Sequence, residues 1–221
     1  MPLLIFIGLK KVLSRTTISE TQQHQLWRRF VVLTTSYLIF VGIISYMGFL
    51  AFGPLPPPAF ILVTLTLIVL LRLIYSKRAK ELVLVTPAIW LIVIQSFRIL
   101  VEIVLWGLYQ YDLIPIQMTF EGRNFDILVG LTAPIIGYYC FIRKSWPEKV
   151  AYYWNIGGLF LLANIVLTAI LSMPIPIRVF MNEPANRYIV DFPNIYIPLL
   201  FVPIAYSMHL LSIRQLRSRF Q

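Results

Sequence analysis

Hydrophobic residues run in six long blocks along this chain, separated by short stretches that are basic, proline-rich or mixed in charge. The blocks fall at about residues 30–52, 60–75, 82–108, 124–142, 150–173 and 195–212. Most approach the ~20 apolar residues that a helix needs to cross a bilayer. The pattern predicts an all-α integral membrane protein, a six-helix transmembrane bundle.

The breaks support that division. Gly53-Pro-Leu-Pro-Pro-Pro58 cannot be helical and reads as a tight, uncharged turn. Residues 109–123 form a connection containing Asp112, Pro115 and Glu121. Gly130, Pro134 and Gly137 predict a kink in the fourth block. Pro174 to Asn194 carries four prolines with Arg178, Glu183, Arg187 and Asp191. It is too polar to span and is expected to form an ordered cap over one face. Met1 to Leu9 is apolar but too short to cross, and Lys10, Lys11 and Arg15 follow it. It reads as a short interfacial helix, with Thr16 to Gln25 as a polar surface segment. The expected organisation is an N-terminal interfacial segment (1–29), a six-span domain (30–212) and a basic tail (213–221).

Composition agrees with the pattern. Of 221 residues, 59% are hydrophobic and 13% charged, with a mean hydropathy of +0.80. Soluble domains carry about 25% charged residues. The formal charge of +10 would suggest nucleic acid in a soluble protein. Here the Lys and Arg residues sit between apolar blocks, so no nucleic-acid partner is expected and the lipid bilayer is. If the six blocks alternate in direction, 15 Lys and Arg fall on one side and three on the other. Positive charge concentrates on the cytoplasmic side, so both termini are expected in the cytoplasm and the protein in the cell membrane. The single cysteine, Cys140, excludes an intrachain disulfide.

Candidate chemistry concentrates between Gln95 and Asp126. Ionisable side chains inside a membrane are costly and usually face a protein interior or a wet cavity. Gln95, Arg98, Glu102 and Tyr109 repeat at helical spacing and share one face. Arg98 and Glu102 are four apart and are expected to pair directly. Counted from Leu82 at ~1.5 Å per residue, Arg98 lies about 24 Å and Glu102 about 30 Å along the helix, in the outer half of the bilayer. Glu121, Arg123, Asn124 and Asp126 are expected at the same depth. Asn124 there can cap the next helix, with Asp126 in its first turn. Met118 to Gly122 could dip in and line the site. A second polar layer of Asn155, Asn164 and His209 is expected towards the cytoplasmic side. A carboxylate metal site from Glu102, Glu121 and Asp126 is opposed by Arg98 and Arg123, so no metal is expected. No zinc-protease, nucleotide or dinucleotide motif is present, two histidines give no pair for haem within the spans, and no cofactor is expected.

Three function classes follow. The first is small-molecule or ion transport or binding, with Arg98 holding an anionic group and Glu102 or Asp126 exchanging protons or a cation. Six spans are few for a transporter, so a homodimer is expected with it. The second is an integral membrane enzyme using carboxylate acid–base chemistry on a lipid or isoprenoid. The third is a non-catalytic subunit of a membrane complex, which requires a filled interior. A polar track across the bilayer would favour the first.

Overall fold

The computed structural model describes residues 1–53 and 56–220, which are helices and loops with no β-strand among them. The helices are α1 (Pro2–Leu13), α2 (Glu20–Tyr46), α3 (Pro58–Ile74), α4 (Lys77–Val85), α5 (Ala88–Gln110), α6 (Asp126–Ile142), α7 (Glu148–Leu171) and α8 (Ile197–Phe220). Of the expected 53–58 turn, Pro54 and Leu55 lie outside the described residues, as does Gln221 of the expected tail.

Local chemistry sets many of the boundaries. The Ser19 and Ser76 hydroxyls accept from the Gln22 and Ala79 amides and cap α2 and α4. Pro58 occupies the first position of α3, where its missing N–H costs nothing. Pro87 and Pro147 precede α5 and α7. Inside α5, residues Ile94–Ser96 tighten into a 3₁₀ turn. A π-helical turn, Tyr138–Ile142, ends α6 just after Pro134, and another, Ile197–Phe201, opens α8 around Pro198.

Four helices (α2, α5, α7 and α8) are long and apolar enough to cross a membrane. Helices α3 and α4 qualify only together and meet at a 68° bend, while α6 belongs with the shorter apolar helices. The boundaries also move. The first long helix begins at Glu20, ten residues before the expected Phe30, because Ser19 caps it and the polar segment joins its first turns. Leu82 to Val85 do not begin the third span. Pro87 holds Thr86 extended, so α4 ends at Val85 and α5 starts at Ala88. Arg214, Arg217 and Arg219 extend α8 rather than forming a separate tail.

Helices α5, α6, α7 and α8 pack into the central bundle, with α3 against α8 and α1 against α2. Helix α2 is pinned by Tyr37 to Thr66, by Ser45 to the Val190 carbonyl, and by Tyr196 to the Leu38 carbonyl. Its Gly42 leaves room for Tyr196, whose hydroxyl would lie 2.6 Å from an added Cβ. The bundle places polar groups inside and apolar groups outside. Gln95, Asn155 and His209 are 0% exposed, whereas Leu33, Leu100 and Phe160 are 67–72% exposed. Such an arrangement suits lipid, not water, around the bundle.

The expected cap is ordered. Arg178 donates to the Phe180 and Asn182 carbonyls and pairs with Glu183 at 3.0 Å. Asn182 donates to Gln117, and Gln117 donates to Ser172, which ties the cap to the 111–125 connection at the same end of the bundle.

Candidate functional site

The site is built where α5, α6, α7 and α8 meet. Arg98, 2% exposed, pairs with Asp126 at the start of α6 at 2.6 Å. Its other terminal nitrogen lies 3.2 Å from His209 Nε2 on α8. Gly130 permits this approach: a Cβ there would come within 2.8 Å of the Ile99 side chain and 3.0 Å of its backbone nitrogen. Gly158 on α7 does the same for His209, since a Cβ there would overlap the imidazole.

Donor and acceptor chemistry fixes the state of His209. A guanidinium can only donate, so Nε2 must present its lone pair and the proton sits on Nδ1. Nδ1 lies 2.8 Å from Asn155 Oδ1, which accepts it. The Asn155 amide then donates to the Ala151 carbonyl at 2.7 Å and to Ser212 Oγ at 3.0 Å. Every contact in this chain is consistent with a neutral imidazole.

Glu102 stands one turn beyond Arg98. Its Oε1 accepts from Asn124 Nδ2 at 2.6 Å. Asn124 also donates to the Met118 carbonyl, and its Oδ1 accepts the Asp126 amide; the N-cap of α6 is Phe125, not the expected Asn124, which lies one residue earlier and ties the first helical residue to the loop. Of the stretch expected to dip inward, Met118 and Thr119 are buried and support this corner, whereas Phe120 and Glu121 are exposed. Gly122 closes that loop, because a Cβ there would overlap the Ile116 carbonyl.

The geometry corrects several expectations. Arg98 pairs with Asp126, not Glu102, because α6 packs close enough to offer its first carboxylate. Arg98 is ten residues into α5, about 15 Å along it at ~1.5 Å per residue rather than the about 24 Å counted from Leu82, which is near the middle of the helix. His209 and Asn155 are not a separate layer, since His209 touches Arg98 directly. Glu121 and Arg123 do not join the site. Glu121 accepts from Trp106 Nε1 at the surface, and Arg123 stacks over Phe180. Asn164 donates to the Arg123 carbonyl, away from the buried chain. Gln95 does adjoin the site: it donates to the Ala205 carbonyl one turn before His209.

Sequence reasoning missed Gly130, Gly158, Ser212 and Gln215. The two glycines matter by absence of a side chain. Ala205, His209, Ser212 and Leu216 are buried on one face of α8, and Gln215 beside them donates to the Val83 and Thr86 carbonyls at the α4 break. That helical spacing was the available signal.

Several buried acceptors near the centre have no hydrogen-bond partner among the described residues: Glu102 Oε2, Asp126 Oδ1, Gln95 Oε1 and Ser96 Oγ. With His209 neutral, the centre holds two carboxylates and one guanidinium. Glu121 points elsewhere, and among the described residues no three His, Cys, Asp or Glu side chains converge to hold a metal.

The family described as Domain of unknown function (DUF8737) matches residues 55–217, and the chain belongs to it. The match covers α3 to α7 and most of α8, including every residue of the buried site. No curated protein and no solved structure matches the chain.

Proposed function

We propose that this is a six-span protein of the cell membrane, with both termini cytoplasmic, that binds and moves a small ion through the polar centre of its bundle. The observation that carries the reading is a buried hydrogen-bond chain of side chains and backbone groups, in which Asn124 accepts the Asp126 amide, containing one carboxylate more than it has cations. It runs from Met118 and Asn124 through Asp126, Arg98, His209 and Asn155 to Ser212, with Glu102 attached at Asn124. An isolated charge in low dielectric is expensive, so a buried unpaired carboxylate takes up a proton or a cation.

Glu102 is the exchanging group. Asp126 is committed to Arg98, whereas Glu102 has only the Asn124 amide and a free oxygen. The proton is the ion that best fits, because Glu102 is 2% exposed and Asp126 6% exposed. A lipid-sized substrate cannot reach such carboxylates without opening the bundle, which disfavours the enzyme reading. Six spans are counted with α3, which bends into α4 at the basic Lys77–Lys80 turn, as the second span and α6 as a short one. The 15 to 3 distribution of Lys and Arg, with that basic turn on the cytoplasmic side, supports this orientation.

The test is reconstitution into liposomes loaded with a pH-sensitive dye, with a potassium gradient and ionophore to set the voltage. Native protein is expected to pass protons, and Glu102→Gln to reduce the flux at least about a hundredfold, the lower end of what a positioned proton-transfer group contributes. Equal flux in the native protein and Glu102→Gln would remove Glu102 from the pathway. Absence of proton and alkali-cation flux in the native protein would leave the complex-subunit reading.

A further inference from the structure

A second site lies apart from the buried chain, between the ends of four helices. A cleft of about 510 Å³ opens between the start of α5, the end of α6, the 143–147 loop, the start of α7 and the end of α8. Its apolar wall includes Ile89 and Phe141. Its polar rim holds Lys144, Arg219 and Glu148. Trp146 also lines it.

The rim is built rather than loose. The Ser145 and Trp146 amides both donate to the Tyr139 carbonyl, at 3.0 and 3.3 Å. The Trp146 ring stacks on Tyr139 with centroids 4.7 Å apart. Lys144 is held in the left-handed region, with φ of 54°. A residue with a Cβ is uncommon there, and such backbone is retained where surrounding structure enforces it. Arg219 pairs with Glu148 at 2.9 Å, so that rim pair is neutral and Lys144 is left as the cation without an ion-pair partner among the described residues. Ile142, next to Phe141 in the chain, is 62% exposed, so the apolar wall continues onto the outer surface of the bundle.

We infer that this cleft binds an anionic phospholipid, with the phosphate at Lys144, the glycerol region against Trp146 and the acyl chains along Phe141 and Ile89. A basic pocket between helix ends matches anionic headgroups of the cytoplasmic leaflet. Tryptophan is favoured at the level where headgroups meet acyl chains. Placing the cleft in that leaflet rests on the orientation proposed above. The lipid site does not depend on ion movement, so failure of either reading leaves the other standing.

The experiment is native mass spectrometry of the full chain in detergent, titrated with phosphatidylglycerol or phosphatidylcholine of identical acyl chains. Phosphatidylglycerol is expected to be retained preferentially. Removing one cation near the membrane surface should weaken it roughly fivefold, and reversing the charge about thirtyfold. The variants are Lys144→Gly, which also suits the positive φ, and Lys144→Glu. Arg28→Glu, on α2 away from the cleft lining, is the control and should retain the lipid. Equal retention of both lipids, or unchanged retention in both Lys144 variants, overturns the proposal. If Lys144→Glu fails to fold, Lys144→Gly decides. Displacement by soluble glycerol phosphate at the lipid's own concentration would also overturn it, because the phosphate alone would then account for binding.

Discussion

At the scale of residues, the two carboxylates of the buried centre should respond differently to removal. Breaking a buried ion pair by deleting one partner costs about 3–5 kcal/mol, because the other charge is left uncompensated. Asp126→Ala should lose about that much, read as a fall in the thermal midpoint in detergent. Glu102→Gln keeps an oxygen for the Asn124 amide and should cost less than about 1 kcal/mol, the net worth of a typical hydrogen bond. Equal losses would make Glu102 a structural partner and would count against ion exchange there. Gly158 offers a sharper test. Overpacking a filled core costs about 1–3 kcal/mol, and the three atoms nearest the Cβ of Gly158→Ala all belong to the His209 imidazole. Gly158→Ala should therefore be destabilising in the native background and close to neutral once His209→Ala has opened the space. Additive losses in the double variant would show that the α7–α8 contact is set elsewhere.

At the scale of elements, the cap depends on a carboxylate. Glu183 accepts from Arg178 and from the Ala185 amide, and the Arg178 hydrogen bond is the main cause holding its carboxyl below the usual value of 4.5. A depressed carboxyl pKa contributes stability above the unfolded value, and that stability is lost as pH falls through the folded one. Amide exchange across residues 178–186 should thus be protected at pH 6, and the protection, taken relative to the intrinsic rate at each pH, should fall below the ordinary carboxyl range. Exchange that follows only intrinsic chemistry over that range would mean that the Arg178–Glu183 pair does not order the cap. These elements also show what could be read from sequence. The apolar blocks placed the helices because the bilayer-length pattern is local. The clustering of Gln95, Arg98, Glu102, Asn124 and Asp126 was legible because polar residues stand out in an apolar sequence. The pairing within it was not. Pro87 holds Thr86 extended and starts α5 six residues after Leu82, a local break that the continuous apolar run hides, and Arg98 then lies mid-helix against His209. Depth counted from Leu82 separated two groups that the fold joins. Nor could sequence show that Gly130 and Gly158 are gaps that let helices approach, since a glycine reports space only when its neighbour is known.

At the scale of the whole molecule, the proposed orientation can be tested with one cysteine at a time. With Cys140→Ser as background, cysteines at Thr16 and Ser218 should react with a membrane-impermeant maleimide only from the cytoplasmic side. Cysteines at Asp112 and Asn182 should react only from the opposite side. Labelling of Asp112 and Ser218 from the same side would contradict the six-span count, because α6, α7 and α8 must together reverse the chain an odd number of times. The mid-helix position of Arg98 has an electrical consequence on this topology. A full elementary charge crossing a membrane exchanges about 2.3 kcal/mol per 100 mV with the field. A proton reaching a centre halfway across would exchange roughly half of that, about 1.2 kcal/mol. Its occupancy would then change roughly sevenfold for each 100 mV, with a sign set by the side from which it loads. The proline that displaces α5 thereby also sets how strongly this centre is coupled to voltage.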